Sequence, residues 1–390
     1  MVRTPKRRAE AASARRRWPA EWETQTAVLL CWPRATSGFQ EAERSGVERT
    51  LLTMASAISR QERVLFLVPP AGFATAPRAL EVTRLGGDPR RIDWIPLPAN
   101  DLWVRDYGPL VVFEGGAGRL VDFRFNGWGG KYPHADDDQV TSRLSEQGTW
   151  GPAVVESCPE VLEGGSIETD GRGTVITTRR CLLNPNRGSR DEDGIEALLG
   201  QRLGARRVLW LDTEALPGDD TDAHIDTLVR FASPQVLIHQ GGVGHPDLPV
   251  RQALESLSRE LARLKNEDGA PYRRIELPSP GRVTDSEDRP LPATYANFLV
   301  ANDALLIPQY GVASDAPAQA LLSQAFPDRH PYPMDARPLI AQYGSLHCAS
   351  LQIPAGVVPE SPDGPAAIVE EQRSRTPPLP HDPGSRRTPK

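Results

Sequence analysis

The chain has 390 residues, of which 39% are hydrophobic and 25% charged, enough for one large globular domain or two ordinary ones. The net charge of −6 and the lack of a sustained basic patch in the body argue against a nucleic-acid partner. No apolar run approaches the roughly 18 residues that a membrane span needs. The four cysteines are widely spaced and form no C-x-x-C pair, which predicts neither a zinc site nor a disulfide framework (Cys31, Cys158, Cys181 and Cys348). We therefore expect a cytoplasmic protein with reduced thiols.

The two ends of the chain differ in composition from its centre. Residues 1–17 are rich in Arg, Lys and Ala but lack the apolar segment of a secretory signal, so we expect a disordered basic leader. Residues 359–390 are rich in Pro, Ser and Arg and have little to bury, which predicts a disordered tail. Residues 18–358 contain no linker and are expected to form a single catalytic domain.

Short apolar runs ended by Pro, Gly or Asn recur along the body, the pattern of buried strands. They cover residues 27–33, 64–70, 92–96, 110–113, 174–178, 208–211, 236–239, 275–277, 298–300 and 305–308. Apolar residues at helical spacing predict helices over 40–60, 191–203, 250–265 and 316–325. Strands outnumber helices, and one long helix follows every two or three strands. This order favours a cyclic array of small α/β units over a doubly wound sheet.

Residues 218–226 (GDDTDAHID) place four carboxylates around one histidine and lead into an apolar run. Clustered carboxylates repel one another and are costly to desolvate, so they usually await a cation, although a solvated acidic turn has the same sequence pattern. If a strand begins near Ala223, the side chains of His224 and Asp226 share one wall of a site. The segment lacks the Gly and Glu of a calcium loop, and a lone histidine offers no zinc partner. An organic cation is the better candidate.

Two further segments place a carboxylate beside an unusual neighbour. Asp106 follows Trp103 at a turn, and an acid next to an aromatic ring can hold a planar cation, unless Asp106 simply pairs with Arg105 or caps the turn. Glu163 ends an apolar run before two glycines, which either let a ligand approach closely or form a hairpin turn. The loop at 125–132 (FNGWGGKY) lacks the Lys-Ser/Thr ending of a phosphate loop, so we expect no nucleotide there.

Cys348 is the cysteine that we expect to be reactive. It follows a glycine turn and His347, whereas Cys31 and Cys181 are placed inside apolar strands and are expected to be packing residues. A thiolate nucleophile needs a neighbouring base or positive charge to lower the pKa of its thiol. His347 would point away from Cys348 on an extended chain, so His224 is the better partner.

Five motifs, in this order along the chain, resemble those of the agmatine deiminase family, which also takes in the Porphyromonas-type peptidylarginine deiminases. They lie at residues 100–109 (NDLWVRDYGP), 125–132, 162–166 (LEGGS), 218–226 and 344–348 (GSLHC). The match begins at residues 18–22 (WPAEW) and runs to about residue 354. The resemblance implies an α/β pentein fold, an α/β-propeller of five ββαβ-type units around a pseudo-fivefold axis, which agrees with the strand-rich pattern. It implies no metal and no organic cofactor.

The resemblance also implies roles for particular residues. The catalytic residues would be Cys348, His224, Glu163, Asp106 and Asp226. The substrate-binding residues would be Asp106, Asp226, Asp220 and Trp103. Cys348 would attack, His224 would act as general acid and base, and Glu163 would orient that histidine. Two carboxylates suit a guanidinium, which is planar, permanently charged and carries a fork of donors.

The reaction that the resemblance implies is hydrolysis of agmatine to N-carbamoylputrescine and ammonia through a covalent amidino-cysteine, in putrescine and polyamine metabolism. The partner would be a small guanidinium molecule, and a homo-oligomer is compatible with the sequence. Peptidylarginine or free arginine is the alternative substrate, and a non-catalytic pentein binding protein is the alternative of another class. The chain departs from the family at Ala223, where Gly is common, and at 343–346 (YGSL), where a longer glycine run is common. These departures concern the pocket wall rather than the chemistry.

Overall fold

A computed structural model describes residues 16–34, 37–39 and 41–359. Most of the predicted leader and tail, 1–15 and 360–390, lies outside these residues. The last two residues assigned to the leader contact the body. The Arg16 guanidinium lies 2.8 Å from the carboxylate of Glu156, and the backbone of Arg17 pairs with that of Phe113.

The described residues contain sixteen strands in five separate sheets. The strands are β1 (Gln25–Cys31), β2 (Arg63–Val68), β3 (Ile92–Pro96), β4 (Leu110–Glu114), β5 (Ala117–Arg124), β6 (Val154–Val161), β7 (Ile167–Thr169), β8 (Thr174–Thr178), β9 (Arg207–Leu211), β10 (Val229–Ser233), β11 (Val236–Gln240), β12 (Arg273–Leu277), β13 (Leu299–Val300), β14 (Ala304–Gln309), β15 (His330–Asp335) and β16 (Ser350–Pro354). Four sheets have three strands each, in the orders β4-β5-β6, β7-β8-β9, β10-β11-β12 and β13-β14-β15. The fifth has the order β16-β1-β2-β3.

Every sheet repeats one pairing scheme. Two strands run antiparallel, and a further strand returns parallel to the second of them. A parallel return needs a crossover, and a helix supplies it in each unit. The crossover helices are α1 (Glu41–Ile58), α2 (Thr75–Arg84), α3 (Val140–Glu146), α4 (Glu192–Leu203), α5 (Leu248–Leu261) and α6 (Asp315–Ala325), and shorter helical segments lie at Val104–Tyr107, Gly127–Gly130, Arg179–Leu182 and Arg337–Ile340. The repeating unit is therefore ββαβ. The unit that closes the molecule combines β16 with β1, α1 and β2.

Clusters of buried apolar side chains join the sheets to one another. Three clusters each connect two sheets that follow one another along the chain. The largest connects the β13–β15 sheet, the closing sheet and the β4–β6 sheet through side chains such as Leu306, Leu29 and Val111. The five sheets are thus linked in a closed ring, and the predicted pentein α/β-propeller is confirmed.

The predicted helices correspond to α1, α4, α5 and α6, but α2 and α3 and several strands were missed. Among the missed strands, β15 carries Pro331 and Pro333. Proline cannot donate a ladder hydrogen bond, and β15 tolerates it because it lies at the edge of its sheet. None of the helices in the described part of the chain combines the length and the apolar character that crossing a membrane requires.

Candidate active site

The candidate catalytic residues lie in turns that precede the first strand of four of the five ββαβ units. Asp106 lies before β4, Glu163 before β7, His224 and Asp226 before β10, and Cys348 before β16. The turns are short helical segments, 3-10 turns or tight turns, and they end at the same position of each unit. Because the units form a ring, residues that are far apart in the sequence meet in one pocket.

This pocket holds about 480 Å³ of space between its lining side chains, including space that is open to solvent. Six of the seven implied site residues line it: Trp103, Asp106, Asp220, His224, Asp226 and Cys348. The seventh, Glu163, is fully buried close to the His224 ring. The structure therefore brings all seven residues together.

The Asp106 carboxylate is held by two donors. Its Oδ1 accepts a hydrogen bond of 2.9 Å from the Gly165 backbone N–H, and its Oδ2 accepts one of 2.9 Å from the Trp128 indole N–H. A Cβ at Gly165 would lie 2.8 Å from both Asp106 Oδ1 and His224 Nδ1, so the close approach here requires glycine. Arg105 pairs with Glu21 at 3.0 Å, and the alternative that Asp106 pairs with Arg105 is wrong.

Burial, together with the negative charges of Asp226 and Glu163, raises the pKa of Asp106 to about 6, although the charge of His224 and the Trp128 hydrogen bond oppose the rise. The Asp106 carboxylate is therefore ionised at neutral pH and becomes protonated as the pH falls through about 6.

Only one of the two Asp226 carboxylate oxygens has a hydrogen-bond partner in the described part of the chain. Its Oδ2 lies 2.8 Å from Nδ1 of His347, whereas its Oδ1 is buried without a hydrogen-bond partner among the described residues. Burial opposes ionisation of Asp226, but the hydrogen bond and charge of His347 and the charges of His224 and Arg230 lower its pKa. A buried, ionised oxygen without a partner is costly, which is what a site built for a cation predicts.

His347 continues this contact to a second carboxylate. Its Nε2 lies 2.7 Å from Glu21 Oε1, and Glu21 also pairs with Arg105 and Arg230. Burial opposes the charge of Glu21, yet Arg230, His347 and Arg105 hold its pKa well below the usual range. The N-terminal segment thus supports the base of the pocket through His347.

His224 lies with Nδ1 3.7 Å from Asp106 Oδ1, and neither ring nitrogen has a hydrogen-bond partner among the described residues. Burial disfavours its charge, but Asp106, Cys181 and Glu163 outweigh burial and raise the pKa of His224 to about 10. The imidazole is therefore protonated at neutral pH and ready to donate a proton.

Cys348 lies in the turn before β16, with its Sγ 3.6 Å from Asp226 Oδ2 and 3.2 Å from Asn297 Nδ2. Burial and the charges of Asp226 and Asp106 raise the pKa of the Cys348 thiol well above its usual value. A cation placed between those carboxylates would remove the cause of much of this rise.

Glu163 does not hydrogen-bond His224 in the described residues. Both of its oxygens accept from Nε of Arg187, at 2.8 and 2.9 Å, and the Arg187 side chain also lies 2.6 Å from Asp222 Oδ2. Arg187 therefore connects Glu163 to the loop that carries His224. Glu163 contributes negative charge beside the histidine rather than a direct hydrogen bond.

In the described part of the chain, two groups of three side chains have possible metal-ligand atoms within 4.8 Å of one another: Glu163, Cys181 and His224, and Glu21, Glu168 and His347. In each group an arginine already pairs with a carboxylate, since Arg187 lies 2.8 Å from Glu163 and Arg230 lies 3.0 Å from Glu168. Protein cations thus compensate these buried carboxylates.

Two local predictions around His224 are wrong. No strand begins near Ala223, because residues Ile225–Thr227 form a 3-10 turn and β10 begins at Val229. Ala223 has a φ of 68°, in the left-handed region, which explains why glycine is common there in the family. Cys181 lies in the helical turn Arg179–Leu182, next to His224, rather than in a strand.

The mouth of the pocket is acidic. Asp101, Asp220, Tyr132 and Tyr343 line it, and the Tyr132 hydroxyl donates a hydrogen bond of 2.5 Å to Asp220. Burial raises the pKa of Asp101 well above its usual value, so the negative charge at the mouth is that of Asp220. Among the described residues that line the pocket, none is Arg or Lys. The negative electrostatic potential at the mouth favours a substrate with a positive charge at its distal end.

Sequence reasoning missed four residues that shape the site: Glu21, Trp128, Asn297 and His347. Glu21 and Trp128 lie in segments that carry the family resemblance, which was the available signal. Asn297 carries no charge and lies in none of those segments, and His347 was considered only as a partner for Cys348.

Comparisons with known proteins agree with this geometry. The sequence profile of the Porphyromonas-type peptidyl-arginine deiminase family matches residues 17–354. A Shewanella protein, provisionally named agmatine deiminase, is 33% identical over 87% of this chain and 94% of its own length.

Two solved structures share the fold. One is a Porphyromonas gingivalis protein provisionally described as an arginine deiminase, with 37% identity, a TM-score of 0.79, and coverage of 88% of this chain and 100% of that one. The other is a cysteine-to-serine variant of C. jejuni agmatine deiminase with substrate bound, with 29% identity, a TM-score of 0.77, and coverage of 88% and 97%. The chain therefore belongs to the Porphyromonas-type peptidyl-arginine deiminase family.

Proposed function

We propose that the protein is a guanidine deiminase that hydrolyses agmatine to N-carbamoylputrescine and ammonia. The observation that carries the proposal is one pocket that holds a thiol, an imidazole and two carboxylates, Cys348, His224, Asp106 and Asp226. The named activity of the C. jejuni relative supports the same reaction. A binding protein of this fold would have no need of the nucleophile.

In this proposal Asp106 and Asp226 hold the guanidinium. The unpartnered Oδ1 of Asp226 receives one edge of its donor fork, and Asp106, fixed by Trp128 and Gly165, receives another. The bound cation offsets the two negative charges that raise the pKa of the Cys348 thiol. Substrate binding therefore promotes loss of the thiol proton to solvent, next to the carbon that is to be attacked.

The thiolate of Cys348 then forms a bond to the guanidinium carbon. His224, protonated in the free protein, gives its proton to the departing amino group, and the carbon–nitrogen bond breaks to release ammonia. An amidino-cysteine remains. The now neutral His224 removes a proton from water, and the resulting hydroxide attacks the same carbon. The carbon–sulfur bond then breaks while the new hydroxyl group loses its proton to solvent, which gives the ureido product and the thiolate.

The acidic mouth distinguishes agmatine from free arginine. Agmatine carries an ammonium at its distal end, which the Asp220 carboxylate attracts. Free arginine carries a carboxylate at that end, and no described Arg or Lys lines the pocket to receive it. We therefore favour agmatine. Cytoplasmic location, self-association and the lack of a nucleic-acid partner remain expectations from the sequence.

The test is ammonia release measured in parallel with agmatine, arginine and a blocked arginyl peptide. We expect release from agmatine, and the variant Cys348→Ser should lose it by several orders of magnitude while keeping its circular dichroism spectrum. Cys158→Ser is the matched control, because this buried cysteine lies in β6, outside the pocket. Release from none of the three compounds would refute the proposal. A clear preference for arginine or for the peptide would refute agmatine as the substrate.

A further inference from the structure

The ring places one turn before the first strand of each ββαβ unit, and four of those turns supply the catalytic residues already described. The remaining turn precedes β13 and supplies Asn297. This residue is fully buried, and its side-chain amide reaches the nucleophile. The fourth unit thus contributes to the site from the same position as the other units.

The Asn297 side chain contacts both the sulfur of Cys348 and the backbone that carries it. Its Nδ2 donates to Cys348 Sγ at 3.2 Å and lies 3.4 Å from the backbone oxygen of Asp226. Its Oδ1 accepts from the backbone N–H of His347 at 3.0 Å and from that of Cys348 at 3.3 Å. One amide therefore fixes the backbone that carries the sulfur and also points a donor at the sulfur.

The sulfur needs such a donor because its surroundings disfavour a thiolate. The charged and titratable groups around it are the carboxylates of Asp226 and Asp106, the imidazoles of His224 and His347, and the phenol of Tyr310. The two imidazoles contact the carboxylates, and among the described residues neither imidazole hydrogen-bonds the sulfur. Burial and the two carboxylates raise the pKa of the thiol, while the Asn297 amide and the Ser345 backbone lower it.

We propose that Asn297 is a positioning residue that donates its Nδ2–H to the Cys348 thiolate while its Oδ1 holds the turn that presents the sulfur. The proposal rests on the proposed function in one respect only, that Cys348 is the nucleophile. A hydrogen bond to a charged group is worth about tenfold to hundredfold in the population of the charged form.

The test is the rate at which iodoacetamide alkylates Cys348, followed by mass spectrometry of the peptide that contains it, at about pH 7 to 10. At each pH where the protonated thiol predominates, a higher pKa lowers the alkylation rate by the same factor. Asn297→Asp keeps the shape and the acceptor oxygen but replaces the donor with an anion. We expect alkylation to slow at least tenfold in this variant.

Asn266→Asp is the matched control. Asn266 is also buried, and its Oδ1 accepts from two backbone N–H groups, those of Asp268 and Ala270, far from the pocket. Cys348 in this control variant should be alkylated at the same rate as in the unchanged protein. Asn297→Ser provides a second, smaller replacement should Asn297→Asp fail to fold, and it should also alkylate at least tenfold more slowly because its hydroxyl does not reach the sulfur.

Alkylation of a folded Asn297→Asp or Asn297→Ser variant at the unchanged rate would overturn the proposal, because the amide would then serve only to hold the backbone. Ammonia release from agmatine, measured on the same samples, should fall with the alkylation rate. Alkylation needs no substrate. If the unchanged protein releases no ammonia from any of the three compounds, the proposed function is refuted, but the alkylation rates still decide the role of Asn297.

Discussion

Trp128 shows how a single residue can be held in a strained conformation for the sake of the site. Its backbone is left-handed, with φ 55° and ψ 44°, which is unfavourable for a bulky side chain and costs on the order of 1–3 kcal/mol. The strained turn directs the indole N–H to Asp106 at 2.9 Å. Strain of this kind persists only where the surroundings enforce it, and here the consequence is a fixed carboxylate.

Replacing Trp128 tests this role. Trp128→Phe keeps an aromatic ring and removes the N–H that lowers the pKa of Asp106. The pKa, already about 6, should rise further, so the acidic limb of kcat/KM for agmatine should move to higher pH. The acidic limb moves in this direction because only ionised Asp106 binds the guanidinium. At pH 7 we expect a loss of about twofold to tenfold in kcat/KM, because the tenfold to hundredfold worth of such a hydrogen bond acts on a carboxylate that is mostly ionised to begin with.

Trp150→Phe is the control for this change. Trp150 is fully buried and also donates its indole N–H, to the Thr141 backbone oxygen at 3.1 Å, but it does not line the pocket. Its variant should lose stability without moving the pH profile. An unshifted acidic limb in Trp128→Phe would show that the indole does not set the ionisation of Asp106.

The sequence revealed the charged site residues more readily than their supports. Asp106, Asp226 and His224 stand out because carboxylates gathered around a histidine need a reason to be there. Asn297 is a neutral amide, and its proximity to Cys348 depends on where the ring closes. Proximity of this kind cannot be read from local sequence.

At the scale of elements, Arg187 joins two of the turns that build the site. Its side chain is 1% exposed, and it bonds Glu163 in the turn before β7 as well as Asp222 and the Thr221 backbone oxygen in the loop before β10. The position of His224 relative to Glu163 therefore depends on one guanidinium. This contact stabilises two units at once.

Arg187→Met should destabilise the protein by about 3–5 kcal/mol, because it leaves the buried Glu163 carboxylate without its partner. Urea denaturation measures the loss. The double variant Glu163→Gln/Arg187→Met should recover a large part of it, since removal of both charges leaves no unpaired ion. Equal stability of the single and double variants would mean that packing around Arg187, rather than its charge, stabilises the protein.

Element prediction succeeded where burial is continuous and failed where it is not. The central strands β1, β8, β11 and β14 are long apolar runs and were recognised from the sequence. The strands β15, with its two prolines, and β5, with its three charged residues, carry no such run and were missed. The helical turns at the site are too short for periodicity to show.

For the molecule as a whole, the pairing of β16 with β1 closes the ring. Leu29 pairs with Leu351 in register, one residue after Ser350 at the start of β16 and three residues after Cys348. The strand that completes the ring is thus the strand that positions the nucleophile. A ring of five small sheets has no single core, so the position of Cys348 depends on the pairing of β1 with β16 in the closing sheet.

This closure predicts that stability and activity are lost together when the closing sheet is weakened. Leu29→Ala removes a fully buried side chain from β1 and should lower the free energy of unfolding by about 2–5 kcal/mol. Leu80→Ala, at a position that is 53% exposed in α2, should change it by less than about 0.5 kcal/mol. Ammonia release and tryptophan fluorescence, followed across one urea titration of Leu29→Ala, should fall at the same concentration, because the ring cannot open without displacing Cys348. Activity that survives well beyond the fluorescence transition would mean that the pocket forms without the closed ring.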